Sequence, residues 1–461
     1  MKKSESSAPR LVQGEVGPGL LRLTTPVILG ISANIVAGLA ETAFLSKLGT
    51  EVITAYSFTF PISAALMSLS LGISIGVSSV LARTAGGGDK KKVKRIASDG
   101  ILLIGLIMIL ISLMGYLSIA PLFALLGADD STIPLIKQYM EIYYLSVFFL
   151  AVPAVGANAL RALGDATISG TIMVSGALLH IAISPFLIFG LAGFPELGLT
   201  GAAWANLMAR LITFTATIFI LHYRERLLSY RNLSLTTLLG SWKEILAVGI
   251  PATATNMIGP LSTAIIVSFL AEFSQETVAG FGIASRIEGL FAIPLFALSA
   301  SIGPFVGQNV GASRHDRADE AMKLSFKFAF YWGIVIAIIL AAFGKQLVNF
   351  FDTNPEVINS ASTYLLIVPI SYGAWGALMM SSAIFNSLGR PLHSTAMSVA
   401  RLIIVYVPLA YIGKSLLGLP GIFLAAAISN TLLGLVGYHL GYVPGHLVGK
   451  QCDKIGGHVA L

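Results

Sequence analysis

Twelve apolar runs, each long enough to cross a bilayer, constrain this chain more than any other feature. They lie near 20–46, 54–83, 97–126, 134–160, 167–190, 198–222, 244–270, 277–308, 320–346, 357–386, 395–416 and 420–444. A spanning helix needs about 20 mostly apolar residues. Runs of this kind imply either one very large soluble core or a lipid environment. Of the 461 residues, 55% are apolar and only 11% charged, against about 25% charged in soluble domains. Such a chain has too few polar residues to cover itself, and a single soluble core stops growing near roughly 250–300 residues. The expected fold is an all-α integral membrane protein with twelve transmembrane helices. Several runs contain Pro or Gly, which membrane helices tolerate when neighbours satisfy the freed backbone groups. The first run is too long for a signal-peptide core and is expected to remain as the first spanning helix.

An even number of spans puts both termini on one side. Loops on that side carry Lys90, Lys91, Lys92, Lys94, Arg95, Arg161, Arg224, Arg226, Arg231, Arg314, Arg317 and Arg390. The opposite loops offer Lys47, Lys345 and Lys414 among Asp129, Asp130, Glu196, Glu272 and Asp352. Positive charge gathers on the cytoplasmic side, so both termini are expected there, in a cell (inner or plasma) membrane. The net charge of +7 is then a matter of orientation, and no nucleic-acid partner is expected. The single cysteine, Cys452, excludes an internal disulfide and argues against a cysteine metal site. With GxxxxGK[ST] absent, ATP-driven pumping is not expected. No metal cluster or nucleophile elbow appears, so an enzyme is not expected. Energy would come from an ion gradient, with no cofactor beyond a proton motive force or sodium.

The two halves match at a constant offset of 225: Pro26 with Pro251, Glu51 with Glu276, Ile62 with Ile287, Gly86 with Gly311, and Leu163-Gly164 with Leu388-Gly389. After a small gap the offset becomes 220, and Leu197-Gly198-Leu199 and Gly201 match Leu417-Gly418-Leu419 and Gly421. A constant register over so much chain implies duplicated structure. Each repeat holds six helices and enters the membrane in the same sense, giving two pseudo-symmetric lobes with a substrate site expected near the repeat interface. The expected divisions are a cytoplasmic tail 1–18, an N-terminal lobe 19–222, a cytoplasmic loop 223–243, a C-terminal lobe 244–446 and a tail 447–461.

Charged residues inside spanning helices usually face a cavity or a partner. In helix 1, Gly30, Asn34, Gly38 and Glu41 recur at helical spacing and are expected to share a face. A carboxylate at Glu41, withdrawn from water, would gain and lose a proton during a cycle. Helix 5 carries His180 and Ser184 one turn apart, and helix 6 carries Asn206 and Arg210. His180 could relay a proton with Glu41, and Arg210 could instead pair with Glu41. Glu41, Asn34, His180, Ser184 and Asn206 are the candidate ion-coupling set. In the second half Ile266 stands at the position of Glu41. Asn256, Arg286, Glu288 and Arg401 lie there instead and join Arg210 as candidate substrate-binding residues. Arg286 and Glu288, two apart, do not share a helix face.

Several segments resemble the multidrug and toxic compound extrusion (MATE) family. They are FVGQNVGASRHDRADEA at 305–321, ALRALGD at 159–165, SPFLIFG at 184–190, PELGLTGAAWA at 195–205 and VPLAYIG at 407–413, followed by GLPGIFLAAAIS. The resemblance covers nearly the whole chain. It implies a V-shaped antiporter of two six-helix lobes that exports small, drug-like, often cationic compounds by alternating access, working as a monomer in the lipid bilayer. The pattern is most similar to the DinF-like branch, whose ion site lies in the N-terminal lobe. That branch has Asp in helix 1 and an Asn-x-x-x-Asp pair in helix 5. Here those positions carry Glu41, His180 and Ser184, and the acid of another branch in helix 7 is missing, with Ile258 nearby. Sodium prefers several oxygen ligands, and a hydroxyl has replaced the second carboxylate, which favours protons. Arg210, Arg286 and Arg401 keep an anionic or lipid-linked cargo open as an alternative. A membrane enzyme and a passive channel are the readings from other classes.

Overall fold

The computed structural model describes residues 10–229 and 234–442; Arg231, Cys452 and the tail 447–461 lie outside the described residues. All secondary structure within the described residues is helical. Twelve helices are long and apolar enough to span a membrane: α1 Val16–Ser46, α2 Thr50–Gly86, α3 Lys90–Leu117, α4 Ile133–Ala162, α5 Ala166–Phe189 and α6 Gly198–Arg224 come first. They are followed by α7 Leu235–Ala271, α8 Gln275–Gly311, α9 His315–Asn349, α10 Pro355–Ser387, α11 Pro391–Leu417 and α12 Leu419–Gly441. The protein is therefore a multi-pass membrane protein. At 1.5 Å per residue, the 37-residue helices α2, α7 and α8 run roughly 55 Å, well beyond the hydrocarbon thickness. Large apolar side chains such as Leu113, Leu117, Phe330 and Ile338 stand exposed, as lipid-facing positions require.

Local chemistry sets the helix ends. Asp89 accepts the Lys92 N–H at 2.9 Å ahead of α3, Asp165 the Ile168 N–H at 3.2 Å ahead of α5, and Ser274 the Thr277 N–H at 3.0 Å ahead of α8. Each side chain satisfies a donor that has no partner within its helix. The Leu-Gly pairs shared by the two repeats close α4 and α10. Gly164 (φ 90°) and Gly389 (φ 73°) adopt the left-handed conformation in which glycine carries no steric penalty.

The regular helices are interrupted in places that apolar periodicity does not reveal. Helix α2 breaks at Thr59, and α10 contains a 3₁₀ turn at Val368–Ser371. Helix α11 opens into a π-helical stretch over Ala400–Tyr406, and α6 ends in another over Ile220–Arg224. The run near 97–126 resolves into α3 and a separate short helix, Ile119–Leu125.

Two compact units make up the described chain. The N-terminal unit takes 25–84 and 89–253; the C-terminal unit takes 10–24, 85–88 and 254–442. The division falls inside α1 and α7, whereas the sequence suggested the loop 223–243, whose last residues already belong to α7. Side-chain and backbone contacts explain this. Early α7 joins the N-terminal unit through the Lys92–Glu244 ion pair at 3.0 Å and the Trp242 indole N–H on the Asp99 carbonyl at 3.0 Å. The Gly76 Cα also packs so closely that a Cβ there would lie 2.5 Å from the Ile245 carbonyl oxygen. Residues 11–14 join the C-terminal unit through α8 and α9. Leu11 N–H donates to Gln308 Oε1 at 3.1 Å, Asn309 Nδ2 to the Leu11 carbonyl at 3.1 Å, and Arg317 Nη1 to the Gly14 carbonyl at 2.5 Å.

Within the C-terminal unit, α11 and α12 form a tight hairpin linked by Gly418 alone. Gly413 and Gly421 face each other so closely that neither position has room for a Cβ. In the N-terminal unit the corresponding pair, α5 and α6, is joined by residues 190–197.

Candidate functional site

In the N-terminal unit the buried carboxylate of Glu41, 6% exposed, is the centre of a polar cluster. Asn206 on α6 donates its side-chain N–H to Glu41 Oε1 at 2.9 Å. His180 on α5 places Nε2 3.8 Å from the same oxygen, close enough for a charged pair but beyond hydrogen-bond range, and that nitrogen is buried without another partner. The rings of Tyr56 and Tyr139 meet edge to face at 5.5 Å and lie against the carboxylate. A carboxylate so far from water is held by few donors, which is the setting in which one proton decides the charge of a site.

Arg210 does not pair with Glu41. Its Nη1 donates to Ser146 at 2.5 Å, and its guanidinium sits 4.8 Å above the Tyr143 ring, an attractive arrangement for a cation. Ser184 and Asn34 also stand outside the cluster. Ser184 gives its hydroxyl proton to the His180 carbonyl at 2.7 Å, and Asn34 its amide to the Gly30 carbonyl at 3.0 Å. Both are one-turn back-bonds within a helix. The expected single face of α1 is divided: Gly30 and Glu41 are buried, whereas Asn34 and Gly38 are exposed. At 3.6 residues per turn Glu41 lies about 20° from Gly30 around the helix, but Gly38 about 80°.

The C-terminal unit contains a second cluster. Glu288 on α8 accepts the Tyr364 hydroxyl of α10, with Tyr372 beside it. Arg401, in the π-helical stretch of α11, donates from Nη1 to Asn430 Oδ1 at 2.8 Å, and Asn430 donates to Ser371 at 3.0 Å. The Ser429 hydroxyl caps the Arg401 carbonyl at 2.5 Å, serving a backbone acceptor in the widened turn. Arg286 is exposed on α8 and takes no part, and Asn256 is half-buried on α7. The tyrosines and serines of both clusters escaped the sequence reading, yet the repeat held a signal for them. In the register that pairs Pro26 with Pro251, Tyr139 falls on Tyr364 and Ser146 on Ser371. In the register that pairs Gly201 with Gly421, Arg210 falls on Asn430. The carboxylates break the symmetry, since Glu41 falls on Ile266 and Glu288 on Ser63.

The family described as MatE matches residues 26–186 and again 251–412. The chain belongs to the MatE family. The two matched segments begin at Pro26 and Pro251, the first pair of the internal repeat. An FAD transporter of Shewanella oneidensis is 35% identical over 430 residues, covering 93% of this chain and 95% of that one. A probable multidrug resistance protein, YoeA of Bacillus subtilis, is 24% identical over 85% of this chain and 86% of its own. Among solved structures, a MATE transporter of Vibrio cholerae, VcmN, superposes with a TM-score of 0.87 at 26% identity, covering 93% of this chain and 96% of that one. An outward-facing MATE family multidrug resistance transporter superposes with a TM-score of 0.90 at 25% identity, covering 98% and 100%. As a MatE protein the chain is a membrane transporter, not an enzyme. Its twelve all-helical spans are those of the MATE fold.

Proposed function

We propose that this MatE protein exports small organic molecules in exchange for protons, by alternating access. The observation that carries the reading is the buried Glu41, bonded to Asn206 at 2.9 Å and 3.8 Å from His180. Two titratable groups this close are coupled, so the protons they exchange belong to the pair rather than to either residue alone. Release of substrate would follow protonation of Glu41 from outside, and deprotonation to the cytoplasm would reset the site. The termini are then cytoplasmic in a cell membrane, as the distribution of lysine and arginine supports.

Protons are favoured over sodium by the ligand supply. A hard cation needs several oxygens, whereas the Ser184 hydroxyl is bonded to the His180 carbonyl at 2.7 Å and no second carboxylate faces Glu41 among the described residues. Purified protein in liposomes tests this. Export driven by an imposed pH gradient should persist without sodium and collapse with a protonophore. Strict sodium dependence at constant pH would reverse the assignment.

For the cargo, an organic anion is a second reading with its own support. The FAD transporter of Shewanella oneidensis is markedly more similar to this chain than the multidrug proteins compared with it. Arg210 and Arg401 both lie in polar clusters without an ion pair to a carboxylate within 4 Å among the described residues. Cationic drugs would meet repulsion at both.

A further inference from the structure

The two arginines differ in how fully they are engaged. Arg210 is bonded to Ser146 and covers the Tyr143 ring. Arg401 carries five N–H donors, of which Nη1 is bonded to Asn430 while Nε is buried with no hydrogen-bond acceptor. Its nearest carboxylate, Glu288, is bonded to Tyr364 and lies beyond ion-pair distance, although within electrostatic reach. A cation inside a membrane protein normally has a partner or a function. This one is also held firmly. Asn430, itself fixed by Ser371, orients the guanidinium, and the π-helical stretch that carries Arg401 is a distortion often found at functional sites.

From this geometry we infer that Arg401, ordered by Asn430 and Ser371, anchors a phosphate group of an anionic organic cargo, and that the charge of Glu288 limits how tightly it is held. The inference rests on the anionic-cargo reading above. A guanidinium with free donors matches a phosphate oxygen pair in geometry as well as charge. Glu288 lies within electrostatic reach of Arg401 and, when ionised, offsets part of its charge, which keeps the hold from becoming too tight for release. Tyr364, Tyr372 and Tyr406 surround the pair; Tyr364 and Tyr372 are buried and wall the site rather than line its opening.

The test uses the full-length protein in liposomes with FAD as cargo and inorganic pyrophosphate as competitor. Arg401→Gln should raise the KM for FAD roughly tenfold or more, the effect of losing charge-assisted bonds. Arg401→Lys should recover part of it, since lysine keeps the charge without the fork. Glu288→Gln should lower the KM, a change of opposite sign that loss of folding does not produce. Pyrophosphate should compete in the wild type and fail to do so in Arg401→Gln. If FAD is carried but its KM is unchanged in Arg401→Gln, or rises in Glu288→Gln, the phosphate site is refuted and the cargo reading stands. If pyrophosphate fails to compete in the wild type, the site is likewise refuted. If the wild type does not carry FAD, the anionic-cargo reading fails, and the site with it.

Discussion

Replacing Asn206 with Ala isolates the contribution of one hydrogen bond to proton coupling. The side-chain amide donates to Glu41 Oε1 at 2.9 Å, and both residues are buried, so bulk water does not reach the carboxylate to take the donor's place. Hydrogen bonds to charged groups contribute about 1.5–3 kcal/mol. The bond favours the ionised carboxylate, and its loss should disfavour that state by the same amount. One pH unit corresponds to about 1.4 kcal/mol, so the pH at which gradient-driven export is half-maximal should rise by roughly one to two units. The assay is substrate flux from liposomes across a series of pH values, with wild type and variant matched for protein yield and thermal stability. Asn206→Asp is not a suitable control because it adds a second acid; Asn206→Leu is, since it keeps the branched shape without a donor. A midpoint that stays put or falls in a well-folded variant would refute the idea that Asn206 acts on Glu41 during transport.

Two further outcomes test the site and the fold. Glu41→Gln should abolish gradient-driven export while leaving the protein folded and inserted, because Gln keeps the shape and the Asn206 contact but carries no transferable proton; drug or flavin export at wild-type rates in cells would count against it. Gly76→Leu should destabilise the N-terminal unit by about 1–3 kcal/mol or more, read as a lower melting temperature in detergent, because a Cβ there would lie 2.5 Å from the Ile245 carbonyl oxygen.

The spans and their duplication were legible because they rest on long-range regularities: apolar runs and a constant offset. Glu41, His180 and Asn206, which the structure brings together, drew notice in the sequence because charged and amide side chains are conspicuous among apolar neighbours. Their partners did not. Asn34 and Ser184 sit at helical spacing from the site, yet each bonds the carbonyl one turn back, a local alternative that spacing does not distinguish. Arg210 stood open as a partner of Glu41, and the Tyr143 ring and Ser146 took it instead. Aromatic residues are so common in this chain that Tyr139 and Tyr364 gave no signal by type, only by their shared place in the repeat. The divisions inside α1 and α7 depend on particular contacts, such as Gly76 against Ile245, and no change in composition marks them.

The glycine-to-glycine contact between Gly413 and Gly421, with one residue linking the two helices, pins α11 and α12 together at their joined ends. Arg401 and Asn430 stand on the two arms of that hairpin and bridge them at 2.8 Å. Glu288 and Tyr364 belong to α8 and α10, outside it. A rearrangement that moved this hairpin as one piece would keep the guanidinium on its amide and change its distance from the acid.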